Sequence, residues 1–413
     1  MNALDGISAD IMDRLDRLGK ISESQHHLTR RCYTPEHRRA ADLIAAWMRD
    51  AGMTVREDAV GNVIGRYEGR NPEAPIIMLG SHHDSVIMGG RYDGPLGVLS
   101  AIDVVHSLSN RGLRTENPIE VIAFSDEEGV RYQSTLLGSR AVAGTFDFSL
   151  LSRTDKDGIT LAKAMTDYGL DTDQIAKAAR KPGEILCYLE VHIEQGPVLE
   201  AEGLAVSAVT AISGADRMTV TVEGKAGHAG TVPMTQREDA LAAAAECVIA
   251  VEDIARHHPD AVGTVGQISV VPGATNVIPG AVVFSVDIRA PDDSVLEHAM
   301  TELSDRMKKI ATERQVSITP DHTYRLDSVT SAPWILDTLD AAMTELGHSP
   351  RRLPSGAGHD AGAMADITDI GMIFVRCEGG ISHHPAENIT HEDAVAGAEL
   401  LLRAVEKIGG LNQ

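Results

Sequence analysis

Short apolar runs alternate with helically spaced apolar positions through the first half of the chain. Residues 36–52 show the helical spacing and end at Gly52, a residue type that readily takes the left-handed conformation at a helix C-terminus. Two apolar runs, 76–79 and 119–124, flank a helical stretch at 96–108, and a third run covers 185–193. This strand, helix, strand order predicts an α/β fold with a mostly parallel central sheet.

Residues 216–322 follow a different pattern. They read as strand 218–222, helix 237–257, strand 264–270, strand 282–288, helix 293–314 and strand 316–319. This βαββαβ order is typical of a ferredoxin-like unit. Helices at 333–346 and 392–408 then flank a strand at 372–375, as in the first part. We therefore predict a catalytic domain of residues 1–212 and 330–413, with residues 213–329 inserted into it.

The charge balance narrows the classes of partner. The 413 residues include 37 Lys and Arg against 60 Asp and Glu, a net charge of −23. Nucleic acids and anionic membranes require a basic surface, so the sequence predicts neither as a partner.

No segment has the length and apolarity of a membrane span, and the N-terminus lacks the pattern of a signal peptide. The four cysteines are widely spaced and form no C-x-x-C motif. A cytoplasmic protein without disulfides is expected.

Four polar clusters follow predicted strands, where an open α/β sheet presents its ligand-binding crevice. The clusters are Gly80-Ser81-His82-His83-Asp84-Ser85 with Asp93 downstream, Ser125-Asp126-Glu127-Glu128-Gly129, the run from Glu190 through His192 to Gly196, and Ser382-His383-His384-Pro385-Ala386-Glu387. A single histidine or a Glu-Glu pair is usually a solvated surface feature. Four such clusters at strand ends together favour a common site.

Histidine and carboxylate ligands without cysteine suit zinc, manganese or cobalt, and one carboxylate can bridge two ions. Three histidines, a terminal carboxylate and a bridging carboxylate would hold two ions. Neighbouring residues on a strand point in opposite directions, so the choices between His82 and His83 and between His383 and His384 stay open. Glu127, beside a ligating Glu128, is the natural general base.

Other signals are weaker. Asp84 could accept the second N–H of His82 and fix its tautomer. The run 356–359 lacks the G-x-G-x-x-G spacing of dinucleotide-binding loops, and no G-x-S-x-G motif for a serine nucleophile is present. Arg289 ends an apolar strand, where it either pairs with a structural carboxylate or binds a ligand carboxylate; pattern alone slightly favours the structural pairing.

Ordered motifs along nearly the whole chain carry a family resemblance. Besides the four clusters they are Tyr92-Asp93-Gly94-Pro95-Leu96-Gly97, Gly227-His228-Ala229-Gly230-Thr231-Val232-Pro233-Met234 and Asn276-Val277-Ile278-Pro279. The chain resembles the peptidase M20-type amidohydrolases of the allantoate amidohydrolase and N-carbamoyl-L-amino acid hydrolase group. The resemblance implies a dinuclear-metal catalytic domain, an inserted lid or dimerisation domain and a homodimer.

The resemblance also implies roles for individual residues. His82 and His192 would bind one divalent ion, Glu128 and His383 the other, Asp93 would bridge both, and Glu127 would be the catalytic base. The ions would be Mn²⁺ or Zn²⁺, with Co²⁺ or Ni²⁺ as alternatives, and His83 and His384 would not be ligands. The implied substrate contacts are Gln195, Arg217, His228, Asn276, Arg289 and Gly358. Arg289 would then hold a substrate carboxylate, against the structural pairing favoured above.

Two substrates compete within this group. The stretches 354–361 and 376–383 look more like those of allantoate enzymes, which would hydrolyse allantoate, a small ureido acid, to ureidoglycine, ammonia and carbon dioxide. The alternative is an N-carbamoyl-L-amino acid hydrolase, since other stretches fit both groups. A peptidase and a binding protein that has lost catalysis are more distant alternatives, and the intact candidate ligand set argues against the second.

Overall fold

The computed structural model describes residues 10–411, so the outermost residues of the predicted catalytic domain, 1–9 and 412–413, lie outside the described residues. The chain divides into two compact units. The first unit ends at Thr210 and continues with Ser331–Leu353 and again from Gly358; the second comprises Ala211–Thr330 and Pro354–Ala357. The predicted inserted domain, residues 213–329, does not contain the short segment 354–357 that belongs to the second unit.

The helices and strands follow in chain order. The helices are α1 (Ile11–Gly19), α2 (Pro35–Asp50), α3 (Pro95–Asn110), α4 (Leu137–Ala143), α5 (Leu161–Tyr168), α6 (Val198–Glu202), α7 (Ala240–His257), α8 (Asp293–Arg314), α9 (Pro333–Glu345), α10 (Asp360–Met364) and α11 (His391–Ile408). The strands are β1 (Thr54–Glu57), β2 (Val63–Tyr67), β3 (Ile76–His82), β4 (Ile119–Phe124), β5 (Ile185–Ile193), β6 (Val206–Ile212), β7 (Gly214–Glu223), β8 (Gly227–His228), β9 (Val262–Thr264), β10 (Ile268–Val271), β11 (Val277–Ile278), β12 (Ala281–Ala290), β13 (Ser317–Leu326), β14 (Val329–Thr330), β15 (Arg352–Ser355) and β16 (Asp369–Val375).

The first unit has a mixed sheet in the strand order β1-β2-β4-β3-β5-β16-β6. Its central strands β4, β3, β5 and β16 are parallel, as predicted. The flanking strands are antiparallel, β2 to β4 on one side and β6 to β16 on the other. The sequence pattern does not reveal β1, β2 or β6 as strands. β2 and β6 pair with segments distant in sequence, β4 and β16, and β1 in turn pairs with β2; local periodicity does not report such partners.

Helices cover the buried central strands of this sheet. Helix α3 begins at Pro95, in the first turn where proline fits, and is buried along most of its length. It packs with α11 over β3 and β5. Helix α2 begins where the Thr34 hydroxyl accepts from the His37 N–H, and the chain leaves it through Gly52 at φ +91°, the left-handed conformation predicted there. The burial of β3 and β4 explains why both read as continuous apolar runs.

The second unit has its own antiparallel sheet, in the order β10-β12-β7-β13, with α7 and α8 packed against β7 and β12. The predicted βαββαβ order is present, with differences at element ends. Helix α7 starts at Ala240, later than predicted, because the Asp239 carboxylate accepts from the N–H groups of Leu241 and Ala242. The strand predicted at 264–270 is divided into β9 and β10, and β8 and β11 form a separate small ladder.

Two further observations bear on the sequence-based expectations. Within residues 10–411, no helix is long and apolar enough to cross a membrane. Cys32, Cys187, Cys247 and Cys377 are free thiols buried in the structure.

The second unit should depend on its own core. Phe284 on β12 is 1% exposed among the apolar residues between sheet and helices, whereas the neighbouring Val283 faces outward at 39%. We expect Phe284→Ala to lower the free energy of unfolding of this unit by about 3–5 kcal/mol, because it removes a buried ring and leaves a cavity. Val283→Ala is the matched control and should cost less than ~1 kcal/mol. Urea unfolding of both variants tests this, and equal losses would contradict the core assignment.

Candidate metal centre

The predicted ligand residues come together at the carboxyl ends of the parallel strands. His82 is the last residue of β3, and His192 lies next to the end of β5. The loops after β4, before α3 and after β16 bring in the remaining members, which are Glu127, Glu128, Asp93 and His383. Pairing of β3 with β4 continues to Phe124, which extends β3 beyond its predicted end and places His82 inside the strand.

The Asp93 carboxylate lies at the centre of this cluster. Its Oδ1 is 3.4 Å from Nε2 of His82 and 3.1 Å from Nε2 of His192. Its Oδ2 is 3.2 Å from Nε2 of His383, which in turn is 3.7 Å from Glu128 Oε1. Two groups of donor atoms, each spanning less than 4.8 Å, therefore share Asp93: one with His82 and His192, the other with Glu128 and His383. A third group joins His82, Glu127 and Glu128.

The chemistry of these donors fits divalent cations. Imidazole nitrogens and carboxylate oxygens converge, and no Lys or Arg in the described part of the chain forms an ion pair with Asp93, Glu127 or Glu128. Burial, with the nearby charge of Asp93 adding to it, raises the pKa of Glu128 to about 7. Crowded carboxylates of this kind repel each other unless cations lie between them. The geometry is therefore compatible with two ions that share Asp93.

One histidine of each adjacent pair faces Asp93. The His83 ring points the other way, where its Nδ1 hydrogen-bonds the Phe124 carbonyl at 2.7 Å and its face stacks on His37 at 4.2 Å. Burial, with the positive charges of His37 and Arg30 adding to it, lowers the pKa of His83 well below its usual value. His384 is exposed and its Nδ1 accepts from the Ala386 N–H. His82 and His383 are thus the members of the two pairs that lie at the cluster.

Asp84 connects three members of the site. Its two carboxylate oxygens accept from the backbone N–H groups of Glu127 at 3.0 Å and Glu128 at 3.3 Å. Its Oδ1 also lies 3.3 Å from Nδ1 of His82, but the two atoms do not form the hydrogen bond expected from the sequence. One buried carboxylate thereby fixes the backbone of the Glu127–Glu128 loop beside His82.

Gln195 and Ser382 hold the opposite side of Asp93. The Gln195 side-chain amide donates to Asp93 Oδ2 at 2.8 Å, and the Ser382 hydroxyl lies 2.9 Å from the same oxygen. Gln195 and His383 both adopt left-handed backbone conformations, at φ +57° and +55°, which are unfavourable for residues with side chains. Such strain persists where surrounding contacts fix the residue.

Close packing requires glycine beside His82. Gly94 has φ +82°, and a Cβ on it would lie 2.5 Å from the His82 ring. Any side chain at this position would displace either the imidazole or the Asp93 loop.

Charge coupling shifts the pKa values of the site in opposite directions. Burial acts to raise the pKa of Asp93, but His192, His383 and His82 outweigh it and hold the pKa well below its usual value. The hydrogen bond to Asp93 is the main reason that the pKa of His383 is raised to about 9. The pKa of Glu127 is raised well above its usual value, chiefly by loss of solvent contact, with the charge of Glu128 adding to the rise and His82 opposing it.

The other predicted substrate contacts divide between the two units. Gly358 belongs to the first unit, and a Cβ on it would lie 3.9 Å from Glu127 Oε1. In the second unit, His228 on β8 lies next to Asn276, because β8 pairs with β11 and the Ala229 N–H donates to the Asn276 carbonyl at 3.0 Å.

Arg217 and Arg289 meet on one carboxylate of the second unit. Arg289 donates from Nε and Nη2 to the two oxygens of Asp287, both at 3.0 Å, and from Nη1 to the Gly356 carbonyl at 2.7 Å. Arg217 donates to Asp287 Oδ2 at 2.9 Å. Arg289 therefore has the structural pairing that its strand pattern favours. Both arginines line an open cleft of about 660 Å³.

Several polar residues at the site carry no role in the sequence analysis, although all lie in or next to its motifs. The Ser81 hydroxyl donates to buried Glu190 at 2.7 Å, and Glu190 also accepts from the Ala361 N–H. Ser382 and Glu387 contact the Asp93 loop. Their positions within motifs were the available signal, but a motif does not reveal which side chains point at a neighbouring loop.

Comparison with known proteins agrees with this geometry. Residues 78–407 match the model of peptidase family M20/M25/M40. The chain belongs to this family. This M20 chain is 46% identical over 396 residues to an N-carbamoyl-L-amino acid amidohydrolase of Geobacillus stearothermophilus, covering 96% of this chain and 97% of that protein. It is also 42% identical to an allantoate deiminase of Arabidopsis thaliana, with 95% and 81% covered.

A solved structure of similar sequence has the same fold. A hydantoinase/carbamoylase family amidase from Burkholderia multivorans superposes with a TM-score of 0.90 at 36% identity, covering 95% of this chain and 96% of that one. The protein is therefore an M20 amidohydrolase, a hydrolase acting on carbon–nitrogen bonds, and enzymes of this family depend on metal.

Metal binding by this M20 enzyme should depend on pH. His383, with its pKa raised to about 9, must lose its proton before its nitrogen can bind a cation. We expect the affinity for Mn²⁺ to fall as the pH is lowered from ~9 to ~7, by up to about tenfold per pH unit for one competing proton. Isothermal titration calorimetry in buffers of different ionisation enthalpy measures both affinity and proton release. An affinity independent of pH would contradict the prediction.

Proposed function

We propose that the enzyme hydrolyses the ureido carbon–nitrogen bond of a small ureido acid, with allantoate as the main candidate. The products would be ureidoglycine, ammonia and carbon dioxide. The observation that carries the proposal is the pair of donor groups sharing Asp93, with Glu127 in the adjoining group. This arrangement meets the needs of a hydrolysis in which a carbonyl is polarised, a water attacks and a nearby base moves a proton.

Two divalent ions, Mn²⁺ or Zn²⁺ with Co²⁺ or Ni²⁺ as alternatives, fit the donors. His82 and His192 would hold one ion and Glu128 and His383 the other, with Asp93 bridging. When bound, such ions polarise the substrate carbonyl and make the attacking water more acidic.

Glu127 would carry the proton. Its carboxylate takes a proton from the water as the oxygen attacks the ureido carbon, and then passes it to the departing nitrogen. Asp84 keeps the group in place through the Glu127 backbone.

The family resemblance supports the proposed substrate contacts. Arg289 would bind the substrate carboxylate, its guanidinium oriented by Asp287 and the Gly356 carbonyl. His228 and Asn276 would stabilise the oxyanion that forms on the ureido oxygen. Gln195, Arg217 and Gly358 are proposed as further contacts. The homodimer and the cytoplasmic location stay predictions.

The choice of substrate has support on both sides. Stretches 354–361 and 376–383 favour allantoate, and an allantoate deiminase is 42% identical to the chain. The 46% identity to an N-carbamoyl-L-amino acid amidohydrolase favours the alternative, release of an L-amino acid from its N-carbamoyl derivative.

Turnover on the two substrate classes separates these candidates. After reconstitution with Mn²⁺, we expect kcat/KM on allantoate to exceed that on N-carbamoyl-L-methionine by at least ~10-fold, a difference of about 1.4 kcal/mol in transition-state binding. Parallel assays of released ammonia and L-methionine measure it. A preference for the carbamoyl amino acid would assign the alternative function, and no hydrolysis of either would reject the ureido-hydrolase proposal.

The Glu127→Gln variant tests the proton-transfer role. The amide keeps the size of the side chain but does not act as a base, so kcat should fall by about 10²–10⁴-fold. Mn²⁺ content should stay at the wild-type level, because Glu127 is outside both groups that share Asp93. Exposed Glu73, replaced by Gln, is the matched control and should retain full activity. Near-wild-type turnover of Glu127→Gln would remove the assignment.

A further inference from the structure

Glu387 lies four residues beyond His383 and is 3% exposed. We infer that Glu387 is a positioning residue for the metal centre: its carboxylate fastens the loop that carries Asp93 to the loop that carries His383. The inference rests on the proposed function, since it takes the donor groups that share Asp93 to be metal sites.

The contacts of Glu387 are with the backbone of the Asp93 loop. Its Oε1 accepts from the N–H of Tyr92 at 2.8 Å and from the N–H of Asp93 at 3.2 Å. Its Oε2 is 3.2 Å from the Ser382 hydroxyl, which also lies 2.9 Å from Asp93 Oδ2. One carboxylate thus binds the main chain of the bridging residue and, through a hydroxyl, reaches that residue's side chain.

The packing around this carboxylate leaves no space for movement toward the loop. A Cβ on Gly90 would lie 2.0 Å from the carboxyl carbon of Glu387 and 2.1–2.2 Å from its oxygens. The backbone at Gly90 therefore lies directly against the carboxylate. A second hydrogen bond joins the Asp93 loop to the segment after His383: the Tyr92 hydroxyl donates to Asn388 Oδ1 at 3.3 Å.

The Asp93 loop needs such an anchor. Residues 89–93 form no helix or strand of their own, yet Asp93 must direct one oxygen at His82 and His192 and the other at His383. A small rotation of the loop would break one of these alignments. Outer hydrogen-bond partners of metal ligands typically contribute 10–100-fold in metal affinity.

A direct ligand role for Glu387 does not fit its contacts. It is absent from the donor groups found among the described residues, and both of its oxygens face N–H or O–H donors. No Lys, Arg or His in that part of the chain forms an ion pair with it, so it is not half of a structural salt bridge either. Its visible partners are the two ligand-bearing loops.

The test compares Glu387→Ala, Glu387→Gln and Gly90→Ala with the wild type, using the control Glu392→Gln, an exposed glutamate of the following helix. The first readout is amide hydrogen exchange at Tyr92 and Asp93 in metal-free protein, by mass spectrometry with residue-level fragmentation. The second is Mn²⁺ affinity by titration calorimetry. Exchange at these two amides should be at least ~10-fold faster in Glu387→Ala, with Mn²⁺ affinity lowered about 10–100-fold.

Glu387→Gln keeps an acceptor oxygen for the two N–H groups, so it should exchange more slowly than Glu387→Ala and bind Mn²⁺ with intermediate affinity. Gly90→Ala should weaken Mn²⁺ binding while leaving Glu387 itself present, which supplies the test if Glu387→Ala does not fold. Glu392→Gln should match the wild type in both readouts.

Wild-type Mn²⁺ affinity in Glu387→Ala or in Gly90→Ala would overturn the inference, as would unchanged exchange at Tyr92 and Asp93 in Glu387→Ala. A wild-type enzyme that binds Mn²⁺ but hydrolyses no ureido acid would reject the proposed function and leave the positioning role of Glu387 intact. A wild type that binds none of Mn²⁺, Zn²⁺, Co²⁺ and Ni²⁺ would reject both.

Discussion

The interaction on which the site depends is the contact of one carboxylate with three imidazoles. Asp93 directs its two oxygens to different donor groups, and the rest of the centre is arranged around that requirement. The carboxyl ends of β3 and β5 supply two histidines at fixed spacing, because parallel hydrogen-bonded strands hold their ends side by side. Rigid strands thus set one side of the cluster, and loops bring in the other.

Buried carboxylates fix those loops by accepting from backbone N–H groups. Asp84 binds the N–H groups of Glu127 and Glu128, and Glu387 binds those of Tyr92 and Asp93. A buried charge is costly unless hydrogen bonds compensate it, so each carboxylate is strongly held once its loop is in place. The result is a cluster rich in carboxylates whose two loops are held by hydrogen bonds to the backbone.

The second unit carries a different kind of polar cluster. Its antiparallel sheet carries Arg217 and Arg289 on neighbouring strands, and Asp287 between them offsets their charge while orienting both guanidiniums. The overall charge of −23 offers no general attraction to an anionic substrate. The positive charge of this cluster is therefore local, held in a fixed orientation by the Asp287 carboxylate.

The sequence by itself determined the α/β class, the central parallel strands, the βαββαβ order and the motifs that hold the donors. These follow from local periodicity and from the rule that strand ends carry ligands. Local pattern left His82 and His83 as alternatives and the family resemblance implied His82; the tertiary structure shows that His82 faces Asp93 and His83 does not. Only the tertiary structure showed that Arg289 is held by Asp287 and that Glu387 reaches a loop nearly three hundred residues away, Tyr92 being 295 positions earlier. Such contacts depend on how distant segments pack, and the pattern of one segment carries no record of the partner it will meet.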